Sequence, residues 1–141
     1  RQRQMCIRDS SVSVQSGTDT IRGFENVVGG AGEDTIIADA HVNVLTGGLN
    51  GDTFVFNSAA AADGDRITDF EAGDSVNLSG IFGGQDVAFM AGTTFAPGGQ
   101  VIVYSDGNDG IIEGDVTGNG EADFKITLEG RADIKPEDFS A

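Results

Sequence analysis

Two nine-residue segments carry the residues best suited to chemistry, GGAGEDTII at 29–37 and GGLNGDTFV at 47–55. Each sets an aspartate, Asp34 or Asp52, behind a glycine-rich run. Carboxylates beside a turn rich in accessible carbonyl oxygens are hard-oxygen ligand chemistry, of the kind that Ca²⁺ takes in flexible loops. The rest of the chain offers little else that could react. His41 is the single histidine, whereas a zinc protease needs two spaced around a glutamate, and no G-x-S-x-G serine elbow is present. Cys6 has no neighbouring base. The sequence is therefore read as non-enzymatic by itself.

The elements that position the two aspartates follow from a period of nine. The blocks are TIRGFENVV (20–28), GGAGEDTII, ADAHVNVLT (38–46) and GGLNGDTFV. The eighth position is always apolar (Val27, Ile36, Leu45, Phe54), and the sixth is always an oxygen donor (Glu25, Asp34, Asn43, Asp52). A helix would repeat its apolar face every three or four residues, and this pattern does not. A short strand followed by a sharp turn does fit, because Gly and Asn tolerate positive φ. Strands of about three residues are predicted around Val27, Ile36, Leu45 and Phe54. If two blocks complete one coil, Val27 stacks on Leu45 in one sheet and Ile36 on Phe54 in the facing sheet. Asp34 then stands over Asp52 on one edge, with Glu25 over Asn43 on the other. Like charges one strand spacing apart repel by about 3–4 kcal/mol at an effective dielectric of 20. A Ca²⁺ held by both carboxylates and by carbonyls of the Gly-rich turns reverses that sign. The Glu25–Asn43 edge lacks the Gly pairs, so weak binding or none is expected there.

Composition agrees. The chain has 141 residues, suited to one domain, with 23 acidic against 8 basic residues and a formal net charge of -15. That balance argues against nucleic acid and against anionic membranes, and it favours a metal cation or an extracellular life. There are 22 Gly and only 2 Pro, and Asp outnumbers Glu 16 to 7, which is turn and ligand chemistry rather than helix chemistry. A single cysteine excludes an intrachain disulfide framework. No apolar run approaches the length of a membrane span. Arg1, Arg3 and Arg8 crowd into RQRQMCIRDS, unlike the rest of the chain, so residues 1–10 are read as a non-native or leader segment.

The nonapeptides GGAGEDTII and GGLNGDTFV resemble the GGxGxDxUx repeat of the RTX (repeats-in-toxin) proteins, a calcium-binding parallel β-roll. The likeness continues through residues 42–80, with ITDFEAGD, through 99–130 and into IKPEDFSA at 134–141. In that order these segments are similar to the carboxy-terminal domain of serralysin-type secreted metalloproteases (peptidase M10). The resemblance implies an all-β fold, a short parallel β-roll over 11–56 running into a β-sandwich cap over 57–141. It implies Ca²⁺ as the bound cofactor, with Asp34 and Asp52 as ligands, carbonyls from Gly29, Ala31, Gly47 and Leu49, and Asp69 near a bound calcium. It further implies a secreted, extracellular and monomeric module attached to an upstream catalytic domain. Its terminal segment would serve as the signal for the type I (ABC transporter) secretion machinery, without membrane insertion. The same roll also occurs as an attachment or adhesive module of polysaccharide-acting enzymes and large surface proteins, and that alternative stands beside the first.

Departures from the repeat are specific. Ala38 and Asp39 replace the glycine pair of the third block, Asn43 replaces its Asp, and Asn50 replaces a glycine, a change that Asn tolerates in the left-handed region. Within the cap, 57–65 reads as a polar, Ala-rich connector, Val76–Leu78 as a strand, and SDGND as the turn of a hairpin between Val101–Tyr104 and Gly110–Glu113. Asp63, Asp65 and Asp74 read as solvated turn residues. EGDVTGNGEADF echoes an EF-hand loop, but Ile126 stands where a bidentate Glu is needed, which leaves a turn with at most a casual affinity for cations. Phe124, Ile126 and Leu128 alternate as a last strand. Glu137, Asp138 and Phe139 resemble the family's terminal pattern, while Ser140 and Ala141 are less hydrophobic than its usual end.

Overall fold

The computed structural model describes residues 26–84 and 87–139. The leader segment 1–10, Cys6, Glu25 and the final Ser140 and Ala141 lie outside the described residues. Among the described residues ten strands form two sheets: β1 (Asn26–Gly30), β2 (Thr35–Ile37), β3 (Val44–Gly48), β4 (Thr53–Val55), β5 (Arg66–Ile67), β6 (Ser75–Asn77), β7 (Phe89–Ala91), β8 (Gln100–Asp106), β9 (Asp109–Asp115) and β10 (Phe124–Leu128). The larger sheet runs in the order β1-β3-β5-β10-β9-β8-β7, and the smaller in the order β2-β4-β6. Parallel and antiparallel pairs are mixed. Among the described residues no helix is long and apolar enough to cross a membrane.

As far as β6 the chain alternates between the sheets, and each strand pairs in parallel with the strand two elements later. The registers put Val27 opposite Leu45 and Ile36 opposite Phe54, the two pairs that the nine-residue arithmetic predicts. Stacking continues past Phe56, with Leu45 opposite Ile67 and Phe54 opposite Val76. These side chains are buried and belong to one core that both sheets share. Alternation explains the pattern, since successive side chains on a strand point to opposite faces: the middle residue of β2, β4 and β6 points inward, as does the second residue of β1 and of β3.

The coil step is not constant. Asp34 and Asp52 are 18 residues apart, but Asp52 and Asp74 are 22 apart. The extra length lies between β4 and β5, where Ala59–Ala61 form a 3₁₀ turn capped by the Ser58 hydroxyl, which accepts from the Ala61 N–H at 3.1 Å. The connector expected from sequence thus contains one short helical turn.

The second half of the chain extends the larger sheet instead of building a separate pair of sheets. β10 pairs parallel with β5 and antiparallel with β9, and β9 forms a hairpin with β8. Asp106 opposes Asp109 across Gly107 and Asn108, and Gly107 takes φ 65°, as the first position of a primed hairpin turn requires. The end of the described chain packs inward. Phe139 stacks between Phe70 (centroids 5.7 Å apart) and Phe89 (5.4 Å). Phe70 in turn lies 6.5 Å from Phe54, and the Arg131 guanidinium sits 5.9 Å from its ring centre.

Phe54 is fully buried at the middle of the smaller sheet. Its replacement by Ala is expected to cost about 3–5 kcal/mol, a large share of a typical domain's stability. Urea unfolding followed by far-UV circular dichroism checks this; a loss below about 1 kcal/mol would mean that the stacked ladder does not carry the core.

Candidate metal centre

Three turns meet along one edge of the coil: the turn after β1, the turn after β3, and the segment between β5 and β6. Each ends in an aspartate, and the three are tied in series. The Asp34 N–H donates to Asp52 Oδ1 at 2.8 Å, and the Asp52 N–H donates to Asp74 Oδ1 at 2.8 Å. Asp34 and Asp52 are only 3% and 1% exposed. The second oxygen of Asp52, Oδ2, is buried and accepts no hydrogen bond. Burial pushes the Asp52 carboxyl up to about 6, and the charges of Asp74, Asp34 and Asp69 add to that against the pull of the Asp34 amide. Burial also raises Asp74. Among the described residues the arginine ion pairs are Arg66 with Glu129 and Arg131 with Asp133, and neither touches this edge.

The glycines are there because of close approach. A Cβ on Gly47 would collide with the Asp52 carboxylate, and one on Gly29 would collide with the Gly47 carbonyl and crowd the Asp34 carboxylate. The remaining residues expected at the site fall on the same edge. Leu49 is exposed and donates its N–H to the Gly30 carbonyl at 2.8 Å. The Ala31 carbonyl accepts from the Asn50 side-chain amide at 2.6 Å. Asp69 spends both oxygens on backbone, accepting from Gly47 N–H at 2.9 Å and Gly48 N–H at 2.8 Å. The edge therefore brings Gly29, Ala31, Asp34, Gly47, Leu49, Asp52 and Asp69 together, and it adds Asp74. The sequence signal for Asp74 is its place one coil below Asp52, hidden by the four extra residues of the longer step.

These residues fit a hard cation. Asp52 keeps a buried carboxylate oxygen without a donor, has a like-charged neighbour above and below, and has glycine backbone drawn up against it. Among the described residues no three His, Cys, Asp or Glu side chains converge to hold a metal by themselves. A cation on this edge would thus complete its shell with backbone carbonyls, as Ca²⁺ readily does.

The opposite edge has a similar ladder. The Asn43 N–H donates to Asp65 Oδ1 at 2.7 Å, and Asp65 Oδ2 is buried without a donor. Asp39 accepts from the His41 N–H at 3.0 Å and faces His41 Nδ1 at 2.9 Å. Asp65 is a core residue and not the solvated turn residue that its Gly-Asp context suggests. The EF-hand-like loop is a different construction. Asp115 Oδ1 accepts from Gly118 N–H at 2.6 Å and Oδ2 from Gly120 N–H at 2.8 Å. Burial acts to raise this carboxyl, but those amides together with Asn119 and Thr117 outweigh it and hold it below the usual range. Asp123 likewise accepts from Val116 and Thr117. These carboxylates close a turn and leave little for a cation.

Asp65 makes cation-free stability depend on pH. Burial pushes its carboxyl up to about 7, helped by the charges of Asp39 and Asp63 and opposed by the Asn43 amide. In the unfolded chain an Asp titrates near about 3.9. Between these values the folded chain keeps a proton that the unfolded chain has lost, so this stabilisation is present at acid pH and is lost as the pH rises through about 7. Asp52 and Asp74 act in the same direction. In chelator, the melting temperature is expected to fall from pH 5 to pH 8. Asp65→Asn is expected to flatten that fall and to melt above the parent at pH 8. A calorimetric scan at each pH decides; a parent that gains stability toward pH 8 would contradict the assignment.

Residues 9–140 match the family described as Peptidase M10 serralysin C terminal. The chain is 38% identical to the metallopeptidase AprA of Pseudomonas marginalis and 37% identical to the metalloprotease AprA of Pseudomonas entomophila (strain L48), in both cases over 88% of its own length. It spans 30% of the length of each of these relatives. By this match the chain belongs to the serralysin carboxy-terminal family of peptidase M10, the non-catalytic module of such proteins.

Proposed function

We propose that this chain is a calcium-binding, calcium-dependent folding and type I secretion module at the carboxy-terminal end of a secreted serralysin-like metalloprotease. The observation that carries the reading is the Asp34–Asp52–Asp74 ladder, in which Asp52 keeps a buried oxygen without a donor while its neighbours are also acidic. Its support from kinship is the family match, and the two relatives are named a metallopeptidase and a metalloprotease. On this reading β1–β6 form a short parallel roll that extends through β6, and the remaining strands form its cap.

The residues of the chain divide the work. Asp34 and Asp52 supply carboxylate oxygens from successive coils, Gly29, Ala31, Gly47 and Leu49 turn carbonyls toward the gap, and Asp69 fixes the second turn by holding the Gly47 and Gly48 amides. Calcium, when bound, neutralises the stacked carboxylates. Inside a cell, where free calcium is scarce, the excess of negative charge (net -15) opposes closure and keeps the chain threadable through an export channel. Outside, extracellular modules of this kind bind at about 10⁻⁴–10⁻³ M. At a hundredfold excess over Kd one site contributes about 2.7 kcal/mol to folding. The terminal segment would be read by the export machinery before that closure.

Calorimetric titration of the full chain with calcium, with circular dichroism in parallel, should give saturable binding and a gain of β-signal, with magnesium much weaker because of its stricter octahedral demand. Asp52→Asn and Gly47→Ala are each expected to weaken calcium at least about tenfold. A chain equally folded in chelator and silent to calcium would end this reading.

A further inference from the structure

We infer that Asn50 sets the calcium affinity of the site between the first two coils, by occupying the Ala31 carbonyl when no cation is there. The inference rests on the calcium reading above. Asn50 is the only non-glycine residue with a positive φ, 79°, among the described residues. It stands where the preceding repeat has Gly32, so GGAGED becomes GGLNGD and a side chain appears at a position that is bare one coil above. That side chain reaches across the gap between coils: its Nδ2 donates to the Ala31 carbonyl at 2.6 Å, across 19 residues of sequence.

Ala31 is one of the carbonyls expected to face calcium, and Ca–O distances are about 2.3–2.6 Å. The amide nitrogen therefore stands as close to this oxygen as the cation would. An N–H and a cation both present positive charge to the same oxygen, so each weakens the other. In the cation-free chain the Asn50 amide does in part what the cation would do, tying the second turn to the first and neutralising one carbonyl dipole. Calcium must displace it or bind against it, and the affinity falls by the worth of that hydrogen bond. The effect is local, because the remaining oxygens of the site are unaltered by the identity of residue 50.

The test compares wild type, Asn50→Gly and Asn50→Asp as full chains, by calcium calorimetry after removal of metal and by thermal melting in chelator. Both substitutes accept the left-handed backbone, Gly freely and Asp as one of the residues enriched there. Asn50→Gly should bind calcium about two- to tenfold more tightly than wild type, the equivalent of one exposed to moderately strong hydrogen bond, and should melt lower in chelator. Asn50→Asp replaces the donor by a charged acceptor facing the same carbonyl; it should melt lower still in chelator and bind more tightly than Asn50→Gly. Binding by Asn50→Gly equal to or weaker than wild type overturns the inference and leaves the calcium reading intact. Absence of saturable calcium binding by all three chains overturns the calcium reading, and the inference falls with it.

Discussion

Like charges held at strand spacing are the constraint on which the rest depends. A parallel coil places each residue over its counterpart in the next coil, so an aspartate that ends one turn must face the aspartate that ends the next. The structure satisfies one oxygen of Asp52 and one of Asp74 with a backbone amide from the coil above, through the bonds from Asp34 N–H to Asp52 and from Asp52 N–H to Asp74. An amide dipole orients a carboxylate without cancelling its charge. The stack is thus geometrically complete and electrostatically open. Apolar ladders on both sheets, Val27–Leu45–Ile67 and Ile36–Phe54–Val76, oppose the repulsion.

Much of this was legible in the residues. A strict period of nine with an apolar eighth position leaves little freedom, because a slip by one residue would turn every core side chain to solvent. The pairings of Val27 with Leu45 and of Ile36 with Phe54 follow from it. The third layer was harder to see because its step is 22 residues and not 18. A repeat search at fixed spacing loses Asp65 and Asp74 there, and composition then classes both as turn residues. The destination of β10 was illegible for another reason. Alternation marks Phe124–Leu128 as a strand, but periodicity says nothing about its partner, and pairing with β5 is decided by tertiary packing.

The acidic edge and the cap are one mechanical unit. Phe70 follows Asp69 directly, so the residue that holds the Gly47 and Gly48 amides is continuous with the ring lying between Phe54 and Phe139. The turn from Asp69 to Asp74 therefore carries an aromatic side chain that touches both the coil and the end of the described chain. Arg131 covers the same ring from the cap side. The edge and the end of the described chain are thus joined through Phe70.

The placement of β10 gives the stack a direction. An exposed parallel edge is a template for another strand, and natural proteins cover or interrupt such edges. Here β10 covers β5, and its other neighbour runs antiparallel, so the larger sheet cannot propagate the coil beyond that point. On the other side β1 ends the sheet order among the described residues. The stack is closed at its β5 end by a strand from the far end of the described chain, so the last of the described strands to be made is the one that stops it.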